Sequence, residues 1–85
     1  MYLSIGNDMA VRESSLIGIF DLDITSQSHL TRKYLNMAEK AGQVINAAED
    51  IPKSFVVCCE RGQKTIYLSQ MACATLLRRA ESGML

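Results

Sequence analysis

Eighty-five residues with nine Lys+Arg against nine Asp+Glu, 48% hydrophobic content and a single proline leave room for one domain, residues 1–85, and not for two. A chain this short buries only about 60% of its unfolded surface when it folds alone, which argues against a large catalytic cleft and makes self-association a natural supplement to a slight core. The apolar fraction is too high, and the charge too balanced, for a disordered tail or for nucleic-acid binding by bulk charge.

The chain opens with two short segments of mixed apolar character, residues 2–5 and 9–12, separated by Gly6-Asn7-Asp8, residue types that tolerate positive φ; this reads as a hairpin. After Glu13-Ser14-Ser15 comes Leu16-Ile17-Gly18-Ile19-Phe20-Asp21-Leu22, apolar on both alternating sides until Asp21. That pattern predicts a central strand covered on both faces, with Gly18 allowing a neighbour to approach closely. From Thr25 the period changes. Leu30, Tyr34, Met37, Ala38 and Ala41 recur at helical spacing while Arg32, Lys33, Glu39 and Lys40 lie off the stripe. Thr25 or Ser26 is positioned to cap this helix, and Gly42 to end it in the left-handed conformation. Val44 and Ile45 return the chain to the sheet, and residues 47–53 form a loop around Pro52. Two β-rich runs, 54–59 and 64–68, flank Glu60-Arg61-Gly62-Gln63 and predict a second hairpin. Ser69 is the expected cap of a final helix whose stripe is Cys73, Leu76, Leu77 and Ala80, with Arg78 and Arg79 on or near the wet side. The predicted order is β, β, β, α, short β, β, β, α. It implies an α+β fold, a small antiparallel-rich sheet of five to six strands with two helices.

No window nears eighteen consecutive apolar residues, and the start lacks the basic flank and apolar block of a secretory signal, so a cytoplasmic location with no membrane contact is expected. Cys58, Cys59 and Cys73 have neither zinc spacing nor histidine partners and read as reduced packing residues. His29 is the single histidine and reads as a helix-start residue. Asp21 and Asp23 lie two apart at a strand end, too few for a cation site. GxGxxG, GxxxxGK[ST], GxSxG and HExxH are absent, so phosphate-cradle, nucleophile-elbow and zinc-protease chemistry finds no support and no enzyme or cofactor is expected. Each aromatic (Tyr2, Phe20, Tyr34, Phe55, Tyr67) sits where core packing explains it, which speaks against a base-stacking platform.

The zero net charge hides an asymmetry: residues 1–24 hold one base and four acids, and residues 25–85 hold eight bases and five acids. If Arg32 and Lys33, Lys53, and Arg78 and Arg79 gather on one side, repetition around a ring multiplies a weak positive patch into a phosphate-binding surface.

The element order, together with Leu16-Ile17-Gly18-Ile19-Phe20-Asp21, Lys40-Ala41-Gly42-Gln43-Val44-Ile45-Asn46-Ala47, Pro52-Lys53-Ser54-Phe55-Val56-Val57 and Ile66-Tyr67-Leu68-Ser69, resembles the bacterial extracellular matrix regulator family, RemA and RemB, and is closer to the RemB branch. The similarity runs from Tyr2 to about Arg79. It implies a small DNA-binding regulator of biofilm matrix genes, assembled as a closed ring and carrying no cofactor. In RemA-like proteins the loop before the Val-Val strand carries an arginine pair that contacts DNA. Ile51 and Pro52 occupy those positions here, leaving Lys53 beside Glu49 and Asp50. A second basic position of RemA matches Ser15, with Arg12 the nearest substitute. The resulting expectation is a homo-oligomeric ring meeting the phosphates of double-stranded DNA through Lys53, Arg12, Arg32, Lys33, Arg78 and Arg79. Two alternatives stand beside it: an oligomeric module that binds another regulator protein, and a small-ligand sensor with a pocket between subunits.

Overall fold

The computed structural model describes residues 2–22 and 29–81, and its architecture is α+β. In chain order the elements are β1 (Tyr2–Gly6), β2 (Met9–Arg12), a 3₁₀ turn (Glu13–Ser15), β3 (Leu16–Asp21), α1 (His29–Lys40), β4 (Val44–Asn46), β5 (Ser54–Glu60), β6 (Gln63–Ser69) and α2 (Cys73–Glu81). The strands divide into two sheets, the hairpin β1–β2 and a four-stranded sheet of order β3-β5-β6-β4. Every pairing is antiparallel except β4 with β6.

Both hairpins are closed by the residues that the sequence marks for them. Asn7 and Asp8 take φ +50° and +58°, and Arg61 and Gly62 take +55° and +78°, the handedness that matches the twist of the flanking strands. Gly42 adopts φ +74° just beyond α1, so the helix stops where expected. The expected caps Thr25 and Ser26 lie outside the described residues.

The central strands are β5 and β6. In β5, Phe55, Val56, Val57 and Cys58 are all buried, which a strand achieves only when both of its faces are covered. Phe55, Val57 and Ile66 pack with Ala38 of α1, joined by Leu22, Leu35, Val44 and Leu68. On the other face Val56 and Cys58 pack with Leu3, Ile5 and Val11 of the hairpin and Leu76 of α2. The molecule therefore has three layers, with α1 on one side of the sheet and the hairpin with α2 on the other.

The expectation of a central strand at residues 16–22 is corrected: β3 is an edge strand. Its two-sided apolarity has a different cause. Leu16 and Ile19 face the hairpin core, whereas Ile17 and Phe20 remain 61% and 40% exposed. A bulge between Leu16 and Gly18 adds the residue that lets Ile17 leave the regular alternation. The close approach at Gly18 comes from within β3 and not from a neighbouring element: a Cβ at position 18 would stand 2.9 Å from the Phe20 ring. That ring stacks on Phe55 with centroids 5.0 Å apart and planes at 19°. Core packing accounts fully for Phe55 alone among the aromatics, since Tyr2, Phe20 and Tyr34 are exposed and Tyr67 is half-buried. The α1 stripe is likewise only partly covered, with Leu30 and Met37 in solvent, and so is that of α2, where Leu77 is exposed.

Ser69 is also reassigned. It ends β6, fully buried, and does not cap α2, which begins four residues later. Its hydroxyl donates to the Ile5 carbonyl at 2.7 Å and accepts from the Met71 amide at 3.0 Å, tying the sheet to the hairpin and to the approach of α2. Ser54, equally buried, donates to the Met71 carbonyl at 2.8 Å. Replacing Ser69 with Ala strands a buried carbonyl and an amide at once, so Ser69→Ala is expected to cost about 1–3 kcal/mol in urea unfolding, with an unchanged m-value.

All three cysteines are free thiols, Cys58 buried and Cys59 and Cys73 half-buried. Loss of hydration on burial pushes the thiols of Cys58 and Cys73 and the phenol of Tyr67 above their ordinary values; nearby Glu60 adds to the shift of Cys58 and Tyr67, and Asp21 to that of Cys73. The folded state thus holds protons that the unfolded chain gives up. Stability is complete below the ordinary thiol pKa of about 8.5 and is lost as pH climbs through the raised values. Urea midpoints should be lower at about pH 10 than at neutrality, and Cys58→Ala should narrow that gap.

Candidate nucleic-acid interface

Helix α1 turns Leu35 and Ala38 toward the sheet, which leaves the opposite side of the cylinder to the polar residues. Arg32, Asn36 and Lys40 follow at i, i+4 and i+8, so they form one row along that side. With Lys33 and Met37 they line a shallow surface hollow, and no carboxylate shares it. The nearest acid along the helix, Glu39, lines a separate cleft with Leu22, Leu35, Asn36, Val44, Pro52 and Leu68. Arg32, Lys33 and Lys40 are all exposed. Lys40 in the last turn also complements the negative end of the helix dipole.

Asn36 belongs to both the hollow and the cleft, and Pro52 belongs to the cleft, so the surface runs on from α1 toward Lys53. The Lys53 backbone is clamped. Its amide donates to the Ser69 carbonyl at 2.8 Å, and its carbonyl accepts from the Leu22 amide at 2.9 Å, leaving an exposed ammonium on a fixed base.

The other expected residues do not join this surface. Arg12 reaches Glu60 at 3.9 Å, at the far end of β5 from Lys53; seven strand residues put the two ends about 20 Å apart. A hydrogen bond that it donates to Tyr2, then the electrostatic pull of Tyr2 and of Glu60, hold the Arg12 guanidinium even more firmly protonated than usual. Arg78 and Arg79 lie on α2, across the sheet from α1, and the Arg79 guanidinium meets the Met71 sulfur at 3.8 Å. Of the six residues, the fold groups Arg32 with Lys33 in one hollow, whereas Lys53, Arg12, Arg78 and Arg79 line neither that hollow nor the cleft adjoining it.

Ser15, at the second position that RemA-like proteins give a base, is buried, and its hydroxyl donates to the Arg12 carbonyl at 2.9 Å. Ile51, in contrast, is 78% exposed. Lys40 and Asn36 escaped the sequence reading although their i+4 and i+8 spacing from Arg32 was available. Arg61 and Lys64, exposed on either side of the β5–β6 turn, carried no such signal, since a turn position alone does not distinguish a binding base from a solvated one.

Among the described residues no group of three or more His, Cys, Asp and Glu side chains gathers as a metal site, and no helix is long and apolar enough to cross a membrane. No family model matches the chain. It is, however, 30% identical over 81 residues to the extracellular matrix regulatory protein B of Bacillus subtilis strain 168, an alignment covering 95% of this chain and 91% of that protein. An identity of that size over nearly the whole of both proteins places this chain in the extracellular matrix regulatory protein B family.

Proposed function

We propose that this chain is a DNA-associated regulator of extracellular matrix gene expression, acting in the cytoplasm as a closed ring of identical subunits. The observation that carries this reading is the outward side of α1, where Arg32, Lys33 and Lys40 share a hollow that no carboxylate lines, and which adjoins, through Asn36, a cleft holding Glu39 and Pro52, the residue before Lys53. The name of the Bacillus subtilis relative, a matrix regulatory protein, supports the regulatory role. Three or four bases per copy hold a duplex weakly, and a ring sums them, because each further contact after the first is made at high effective concentration.

Such a surface meets phosphates. A phosphate contact positions a protein without reading sequence, so discrimination between duplexes is small and comes from bendability. Net neutrality is compatible with this, because charge acts over about a Debye length, roughly 8–10 Å, and no carboxylate lines the hollow that Arg32, Lys33 and Lys40 share.

A second reading, an oligomeric module that binds another protein, is favoured by Glu49 and Asp50 beside Lys53, which weaken any phosphate contact at that loop. Duplex retention measured from about 50 to 200 mM salt separates the two, since binding through Z phosphates falls with a log–log slope of about −0.9Z. Lys53→Glu and Lys40→Glu should each lower both retention and slope, whereas Arg78→Glu, across the sheet, should change neither. Absence of retention at the lowest salt removes the DNA reading and leaves the protein-binding one.

A further inference from the structure

We propose that copies of this chain join head to tail, with the Ile51 loop of one copy seated in the apolar groove between β3 and α1 of the next. The inference rests on the ring reading for its premise of self-association and adds to it the two surfaces that meet.

The groove follows from the topology. The chain leaves edge strand β3, crosses in α1 over the middle strands, and enters the opposite edge as β4. Its helix covers β5 and β6 and leaves the β3 side open. The opening measures about 370 Å³, walled by Ile17, Phe20, Leu30 and Tyr34 over a floor of Phe55, with Lys64 contributing the charge. Ile17, Phe20, Leu30 and Tyr34 keep 61%, 40%, 76% and 38% of their surface in solvent, an exposed cluster of a kind that marks interaction sites.

The matching part lies on the same chain. Among the described residues Ile51 is the most exposed of the large hydrophobics, at 78%, and it is held on a firm loop. The amides of Glu49 and Asp50 both donate to the Gln70 side-chain oxygen, at 2.7 and 3.2 Å, and the amide of Ala48 donates to the Asn46 side chain at 2.9 Å. An apolar tip on a pre-organised loop binds with little ordering cost. The two residues before Ile51 are acids, and the groove wall holds a base, so the contact is complementary in charge as well as in polarity.

The geometry permits every copy to use both parts. The loop joins the end of β4 to the start of β5, whereas the groove lies between α1 and β3 and runs along β5 from Phe20 and Phe55, near that start, to Ile17 and Lys64 toward its other end. One surface engages one neighbour while the other engages a second. A contact between two different surfaces is heterologous and propagates until it closes on itself.

Light scattering on a gel-filtration column tests the contact. The wild-type chain should run as an assembly, and Ile51→Glu and Ile17→Glu, both changes of exposed side chains, should each run at the 9.4 kDa chain mass. Mixing the two variants should give a particle of twice that mass and nothing larger, because one keeps a working groove and the other a working loop. Lys64→Glu alone should weaken the assembly, and adding Asp50→Lys should restore it. This charge exchange keeps the test decisive should an isoleucine variant fold poorly. A wild-type chain that runs singly overturns this contact together with the ring reading. An assembly indifferent to both isoleucine changes overturns the contact alone, as does a mixture that stays at chain mass; the first of these results leaves the groove to a peptide or small apolar ligand. Loss of DNA retention with the mass unchanged bears on the proposed function and leaves this contact standing.

Discussion

A strand with four consecutive buried apolar residues is the constraint on which the rest of this molecule depends. Phe55, Val56, Val57 and Cys58 alternate across the sheet, so burying all four requires a layer on each side of β5. Each such side chain contributes about 1.5–3 kcal/mol when fully removed from water, and in a chain of 85 residues few other sources of that size exist. Helix α1 forms one layer; the β1–β2 hairpin and α2 share the other. The buried serines at the paired ends of β5 and β6, Ser54 and Ser69, join the second layer to the sheet through hydrogen bonds to Met71 and Ile5, which hold where the apolar packing gives out.

Covering the middle strands has a consequence at the margins. A single helix of twelve residues laid over β5 and β6 cannot also shield β3, so Ile17, Phe20, Leu30 and Tyr34 are left between helix and edge. The same placement turns Arg32, Lys33 and Lys40 outward together. The apolar groove and the basic surface are therefore products of one packing decision, lying on different sides of the same helix. A subunit built this way is complete as a fold and leaves a cluster of apolar side chains at its margin in solvent.

Much of the architecture was legible in the residues. Asn7-Asp8 and Arg61-Gly62 marked the two turns, because few residue types accept positive φ; Gly42 marked the end of α1 in the same way. The change from period 2 to period 3.6 located α1, and the Val-Val run located β5. The misreadings share one cause. Residues 16–22 looked central because they are apolar on both faces, but a bulge and a partly bare face give an edge strand the same pattern. Ser69 looked like a cap because a polar residue ahead of an apolar stripe suits that role, whereas its hydroxyl serves a strand 64 positions away in sequence. The sequence gathered Arg32, Lys33, Lys53, Arg78 and Arg79 on one side, but α1 and α2 pack on opposite faces of the sheet, which separates the Arg32–Lys33 pair from the Arg78–Arg79 pair.

What the sequence by itself determined was the set of elements, their order and their turns, because these follow from φ preferences and from the spacing of apolar residues over a few positions. Tertiary structure alone decided which strand took the centre of the sheet, which apolar residues stayed in water, and which charges came to share a surface. Those outcomes depend on the order in which strands pair and on where one helix crosses them. Both are set by competition among distant segments for the same buried area, and no local pattern encodes who wins.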